Sequence, residues 1–155
     1  MTLDAFTVEA LDRYSALSVQ REVLARLPAF WGARDVALLH HPMWFRQFSL
    51  DGCAARTDGA LVGYLLGVLT PDFGYVHLVA TRLDERRQGV GAALYGAFLH
   101  AAANAGVHRV EAITTPGNTG SVAFHRRLGF TDELIDDYAG PGEARVLLRR
   151  TTAPG

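Results

Sequence analysis

The sequence predicts one α/β domain built on a mixed sheet. Three observations carry this. Strand-period and helix-period segments follow one another in the order β-α-(α)-β-β-β-α-β-α-β-β. An Asp58-Gly59 step between two apolar runs marks a β-hairpin. The 155 residues suffice for one core that buries roughly two thirds of the unfolded surface, so no crosslink is required.

Residues 6–11 read as a first strand and 15–27 as a helix, with Leu17, Leu24 and Leu27 at apolar positions and Pro28 ending it. Residues 28–48 are aromatic-rich, interrupted by Gly32 and Pro42, and read as irregular with a short helix. Residues 52–56 and 60–69 form the hairpin around Thr57-Asp58-Gly59, and a Pro71-Asp72-Phe73-Gly74 turn leads into a strand at 75–81. The strands at 60–69 and 75–81 are almost continuously apolar, which predicts burial on both faces. A helix over 89–105 places Val90, Leu94, Ala97, Phe98 and Ala101 on one stripe, and Gly106 stops it. A strand at 107–115, a helix at 119–128 and strands at 130–138 and 144–149 complete the chain.

Composition removes several function classes. The formal charge of −1 argues against a nucleic-acid binder, which shows a basic excess. No apolar run reaches the ~20 residues of a membrane span, and residues 1–6 lack the basic start of a signal peptide. Together these predict a cytoplasmic protein without nucleic-acid or membrane partners. The single cysteine, Cys53, excludes a disulfide framework and reads as a small core residue. All 15 basic residues are arginine, a bias that a GC-rich genome explains.

The most informative segment is Thr81-Arg82-Leu83-Asp84-Glu85-Arg86-Arg87-Gln88-Gly89-Val90-Gly91-Ala92. A strand ends, and a loop with two glycines opens into a helix. Unpaired N–H groups and the helix dipole suit a phosphate there, and Arg86 and Arg87 add guanidinium donors. A dinucleotide fingerprint fails because Leu94 holds the third glycine position, and a P-loop fails because the chain has no lysine. What remains is Arg-x-x-Gly-x-Gly over residues 86–91, which resembles the pyrophosphate turn of the GNAT superfamily, the acetyl-CoA-dependent N-acyltransferases.

A second segment, Asn118-Thr119-Gly120-Ser121-Val122-Ala123-Phe124-His125-Arg126-Arg127-Leu128-Gly129-Phe130, is similar to that family's Asn-x-x-(Ala/Ser)-x-x-φ-Tyr-x-x-φ-Gly-Phe signature at all positions but one. Asn118, Ser121 and His125 share one helix face. The resemblance covers a cofactor core of about residues 75–130 and implies a single GNAT domain over 1–155. Its mostly antiparallel sheet of about six to seven strands carries helices on both faces. It implies acetyl-CoA as cofactor, with Leu78, Val79, Ala80 and Thr81 bonding the pantetheine arm through their backbone. Arg86, Arg87, Gln88, Gly89, Val90, Gly91 and Ala92 hold the pyrophosphate, and Asn118, Ser121, Phe124 and His125 line the groove.

The departure is His125, where the family usually has the tyrosine assigned to protonate the leaving thiolate. Histidine can also serve as a general acid, or it can merely hydrogen-bond the cofactor while the thiolate leaves unaided. His77 interrupts an apolar strand where several relatives carry an acidic base, so it is the candidate base, with a core histidine as the alternative. Backbone N–H groups around Val79 and Ala80 are candidate oxyanion donors. Asp132, Glu133, Asp136 and Asp137 are weaker candidates for a cationic acceptor, residues 137–143 for a pocket-shaping loop, and His40, His41, Trp44 and Phe45 for the opposite wall. Adjacent histidines chelate poorly, so no metal is expected.

The resemblance implies direct acetyl transfer to a primary amine of a small molecule within a ternary complex. The alternatives are a protein N-terminal or lysine acetyltransferase, or a non-catalytic acyl-CoA sensor. Many family members look dimeric, and the aromatics of residues 30–48 are the candidate homodimer interface.

Overall fold

A computed structural model describes residues 5–152. The elements are β1 (Thr7–Ala10), α1 (Arg13–Ala25), α2 (Leu27–Trp31), α3 (Met43–Arg46), β2 (Cys53–Thr57), β3 (Ala60–Leu69), β4 (Gly74–Thr81), α4 (Val90–Asn104), β5 (Arg109–Thr114), α5 (Thr119–Arg127), β6 (Thr131–Ile135) and β7 (Arg145–Thr151). The seven strands form one sheet in the order β1-β2-β3-β4-β5-β7-β6. β1 with β2, β2 with β3, β5 with β7 and β6 with β7 pair antiparallel, and β4 with β5 pairs parallel. The expectation of an α/β fold on a mixed, mostly antiparallel sheet therefore holds. Of the leader reading at residues 1–6, positions 1–4 lie outside the described residues.

By packing density the chain divides into two compact units. One comprises Met1–Val68 with His77–Ala101, the other Leu69–Val76 with Ala102–Gly155. In the first, Val19, Val23, Phe30, Phe45, Tyr64, Leu65, Leu94 and Phe98 are fully buried. Each such aliphatic or aromatic side chain contributes roughly 1.5–3 kcal/mol of transfer free energy. Three local features set the geometry of this unit. Asp12 caps α1 in a reciprocal box with Ser15, a start signal that lies upstream of the predicted helix. Pro28 does not end α1. It stands in the first turn of α2, where its missing N–H costs nothing. Asp58 and Gly59 both adopt positive φ, at 49° and 81°, giving the expected two-residue hairpin between Thr57 and Ala60.

Gly63 on β3 has a specific packing reason. A Cβ there would lie 2.6 Å from Val90 Cγ1, 3.0 Å from the Ala80 carbonyl oxygen and 3.1 Å from Leu94 Cδ1. Only glycine lets α4 begin this close to the sheet.

In the second unit Val110, Phe130 and Leu148 form the core, and β6 lies at the sheet edge with Thr131, Asp132, Glu133 and Leu134 exposed. The predicted strand at 130–138 shortens to Thr131–Ile135, because Asp137 takes a positive φ of 55° and its carboxylate accepts the Gly142 N–H.

The expectation of burial on both faces holds for β3, which is buried from Leu61 to Gly67, but not for β4. In β4, Val76, Leu78 and Ala80 are buried while Tyr75, His77, Val79 and Thr81 stay half-exposed. Apolar composition concealed this, because Tyr75 and Val79 lie on the more open face.

Candidate active site

The turn after β4 is shaped for an anion. Arg87 sits in the left-handed region at φ 68° and Gly89 at φ 82°. Such turn conformations direct successive N–H groups into a concavity that attracts negative charge. A non-glycine residue held there costs on the order of 1 kcal/mol, and strain of this kind concentrates at binding sites. The helical bonding of α4 starts with the Ala93 N–H donating to the Gly89 carbonyl, which leaves the Val90, Gly91 and Ala92 N–H groups at the positive end of a 15-residue helix. No acidic residue stands in that first turn. Val90 is buried and anchors the helix, while Arg86, Arg87, Gln88 and Ala92 are exposed. Among the described residues neither Arg86 nor Arg87 forms an ion pair, unlike Arg82, which is held by Asp84. The donor set fits a diphosphate.

On β4, Val79 and Thr81 face the half-exposed side, whereas the Leu78 and Ala80 side chains enter the core and leave only backbone for a ligand. His77 is on the half-exposed side too. Its Nε2 lies 2.8 Å from the Leu39 carbonyl oxygen, and the Trp44 indole stacks on its ring at 4.0 Å and 9°. A carbonyl only accepts, so Nε2 carries the proton and the neutral ring has its lone pair on Nδ1. Burial pushes the His77 pKa down, against the Leu39 hydrogen bond, and His40 adds to the lowering. The ring is neutral at pH 7.

The second signature folds into α5 with a chain of hydrogen bonds along one face. Asn118 caps the helix, its side-chain oxygen accepting the Ser121 N–H at 3.3 Å. The Ser121 carbonyl in turn accepts from His125 Nδ1 at 2.7 Å. His125 is 4% exposed and stands edge-on to Phe124 and Phe130. Burial lowers its pKa below the ordinary value, with the Ser121 bond opposing. The neutral ring therefore has its proton on Nδ1, and a proton at Nε2 exists only in the imidazolium.

The remaining candidates are engaged locally. Asp132 pairs with Arg126 through two bonds of 2.6 and 2.8 Å, Glu133 approaches Arg149, and Asp137 ties its own loop. Trp44 and Phe45 are buried, His41 is exposed, and His40 lies in the core. Sequence reasoning passed over Tyr64, whose hydroxyl bonds both Trp31 and His40. Its signal was a polar-tipped ring in the otherwise apolar run LVGYLLGVL. Among the described residues no group of three or more His, Cys, Asp or Glu could hold a metal, and no helix is long and apolar enough to cross a membrane. Burial pushes the Cys53 thiol up to about 12. A maleimide or iodoacetamide at pH 8 is expected to label the native protein very slowly and the urea-unfolded chain rapidly, as read by mass spectrometry.

Comparison with known proteins agrees with this geometry. A model of the Acetyltransferase (GNAT) family matches residues 17–130. The L-methionine sulfoximine/L-methionine sulfone acetyltransferase of Pseudomonas aeruginosa is 30% identical over 123 residues, covering 74% of this chain and 72% of that protein. The L-2,4-diaminobutyric acid acetyltransferase of Nocardia farcinica is 36% identical over 84 residues, covering 52% and 44% respectively. In fold, the chain is similar to yncA of Salmonella typhimurium, solved with its cofactor acetyl-CoA. The TM-score is 0.67 at 17% identity, covering 97% of this chain and 96% of that one. The chain belongs to the GNAT family of acetyltransferases, enzymes that take their acetyl group from acetyl-CoA.

Proposed function

We propose that the chain acetylates the primary amine of a small molecule, with His77 as the base, in a bacterial cytoplasm. The observation that carries this is a neutral histidine on β4, its lone pair fixed on Nδ1, in the same compact unit as the anion-binding turn. Two relatives are named for small α-amino acids and their analogues, which supports an acceptor of that size.

Bound acetyl-CoA supplies an activated thioester carbonyl. The turn over residues 86–92 would hold the diphosphate through backbone N–H groups, with Arg86 and Arg87 adding charge-assisted bonds. Asn118, Ser121, Phe124 and His125 are the second set of residues that the family resemblance assigns to the cofactor. N–H groups around Val79 and Ala80 stabilise negative charge on the carbonyl oxygen. His77 Nδ1 takes the proton that the amine nitrogen sheds as its bond to carbon forms and the carbon–sulfur bond breaks. His125 donates to the departing thiolate only as imidazolium, so its acid role is confined to acidic solution. At neutral pH His125 therefore supplies no proton at Nε2.

The pH–rate profile tests these roles. His77 works as the neutral ring, and its pKa is lowered, so the limb of kcat that His77 contributes is expected to lie below the ordinary histidine value of about 6.5, apart from the amine's own ionisation. His125→Gln is expected to keep the rate at pH 7.5 within a few-fold of wild type. An acid limb of kcat above about 6.5 that is lost in His77→Gln, or a His125→Gln rate down a hundredfold at pH 7.5, overturns the assignment of roles.

A further inference from the structure

His77 is held by a group that is itself held. The carbonyl that accepts its Nε2 proton belongs to Leu39, and the nitrogen of that same peptide group belongs to His40. Because the peptide group is planar, fixing His40 fixes the direction of the Leu39 carbonyl.

His40 is fixed on every side. It is 3% exposed and ends a short 3-10 turn, Ala37–His40. Its Nδ1 donates to the Val36 carbonyl at 2.8 Å, so its Nε2 accepts, and the Tyr64 hydroxyl 2.7 Å away must be the donor. The Tyr64 oxygen accepts in turn from Trp31 Nε1 at 2.8 Å. Each donor in this chain meets one acceptor, which sets a single tautomer for His40. The rings add to the hold. Phe45 stacks on His40 at 6.4 Å, and its chain neighbour Trp44 stacks on His77. Two adjacent residues of α3 thus cover the two histidines in turn. His40 adds to the lowering of the His77 pKa, and burial lowers that of His40 in turn.

We infer that Tyr64 and His40 are positioning residues for the base: through the Leu39–His40 peptide group they hold the proton of His77 on Nε2 and its lone pair on Nδ1. This assignment rests on His77 being the base. Both Tyr64 and His40 are buried and act through the peptide group rather than on a substrate. Without the Tyr64 hydroxyl, His40 loses its Nε2 partner, the Leu39 carbonyl gains freedom, and the His77 ring populates both tautomers.

The test joins a spectroscopic and a kinetic measurement on the intact chain. Nitrogen-15 shifts of the imidazoles in wild type are expected to show His77 as the Nε2–H tautomer. Nδ1–H there overturns the inference without any variant having to fold. Tyr64→Phe keeps the ring and removes the hydroxyl. It is expected to mix the His77 tautomers and lower kcat roughly tenfold while leaving KM for acetyl-CoA unchanged. In the His77→Gln background the same change is expected to leave kcat unaltered. An equal tenfold loss in both backgrounds makes Tyr64 merely structural and overturns the inference, with the base reading intact. If His77→Gln itself leaves kcat unchanged, the base reading fails, and the inference falls with it for that separate reason.

Discussion

His77→Gln is expected to lower kcat by roughly 10²–10³ at pH 7.5 with no change in acetyl-CoA affinity. The glutamine amide can still donate to the Leu39 carbonyl and lie against Trp44, so the shape around the site is kept. What it lacks is a basic lone pair at the place of Nδ1. The residual rate should then rise with pH, because the amine must lose its proton to solvent instead of to the protein. Isothermal titration with acetyl-CoA separates this from a binding defect, since the residues proposed for the diphosphate, 86–92, do not include His77. Asparagine is the harsher comparison. It is shorter, breaks the Leu39 contact, and should lose stability as well as rate.

Gly63→Ala is expected to damage cofactor binding from a buried position on β3. The added carbon would meet Val90 Cγ1 at 2.6 Å and the Ala80 carbonyl at 3.0 Å. Val90 is 2% exposed and is the first residue of α4, so it has little room to turn away. Relief must come from moving the first turn of α4, and the N–H groups of Val90, Gly91 and Ala92 move with it. Overpacking of this kind costs roughly 1–3 kcal/mol, and each kcal/mol lowers Tm by about 2–4 °C in a domain of this size. KM for acetyl-CoA should rise by about tenfold. Gly96→Ala in the same helix is the control. A Cβ there meets nothing within 4 Å, so it should stabilise the helix by up to about 1 kcal/mol and leave KM unchanged.

The contrast between these glycines shows which parts of the molecule were legible from sequence. Asp58-Gly59 could be read because a two-residue hairpin needs positive φ at both positions, a local demand with a local signature. The turn over residues 86–91 was legible as a turn for the same reason, although Gly89 was visible and the left-handed Arg87 was not. The segment over residues 28–48 stayed unreadable. Its order comes from Tyr64, which is 24 residues from His40 and 33 from Trp31, and from His77, which is 33 from Trp44. No local pattern encodes those partners. Composition also misdirected in one place. Tyr75 and Val79 made β4 look buried on both faces, when their side of the strand is the more open one. Asp132, read as a weaker candidate for a cationic acceptor, pairs with Arg126. Opposite charges six residues apart across a helix end gave no cue to that closure.

The most direct measurement is thiol release from acetyl-CoA by the purified chain against a panel of small primary amines, with α-amino acids and short peptides included. Turnover with a small amino-bearing acceptor, a product acetylated on nitrogen, and loss of that turnover in His77→Gln are predicted. An acetyl-CoA complex that releases no thiol with any amine would contradict the catalytic assignment and leave an acyl-CoA-binding module in its place.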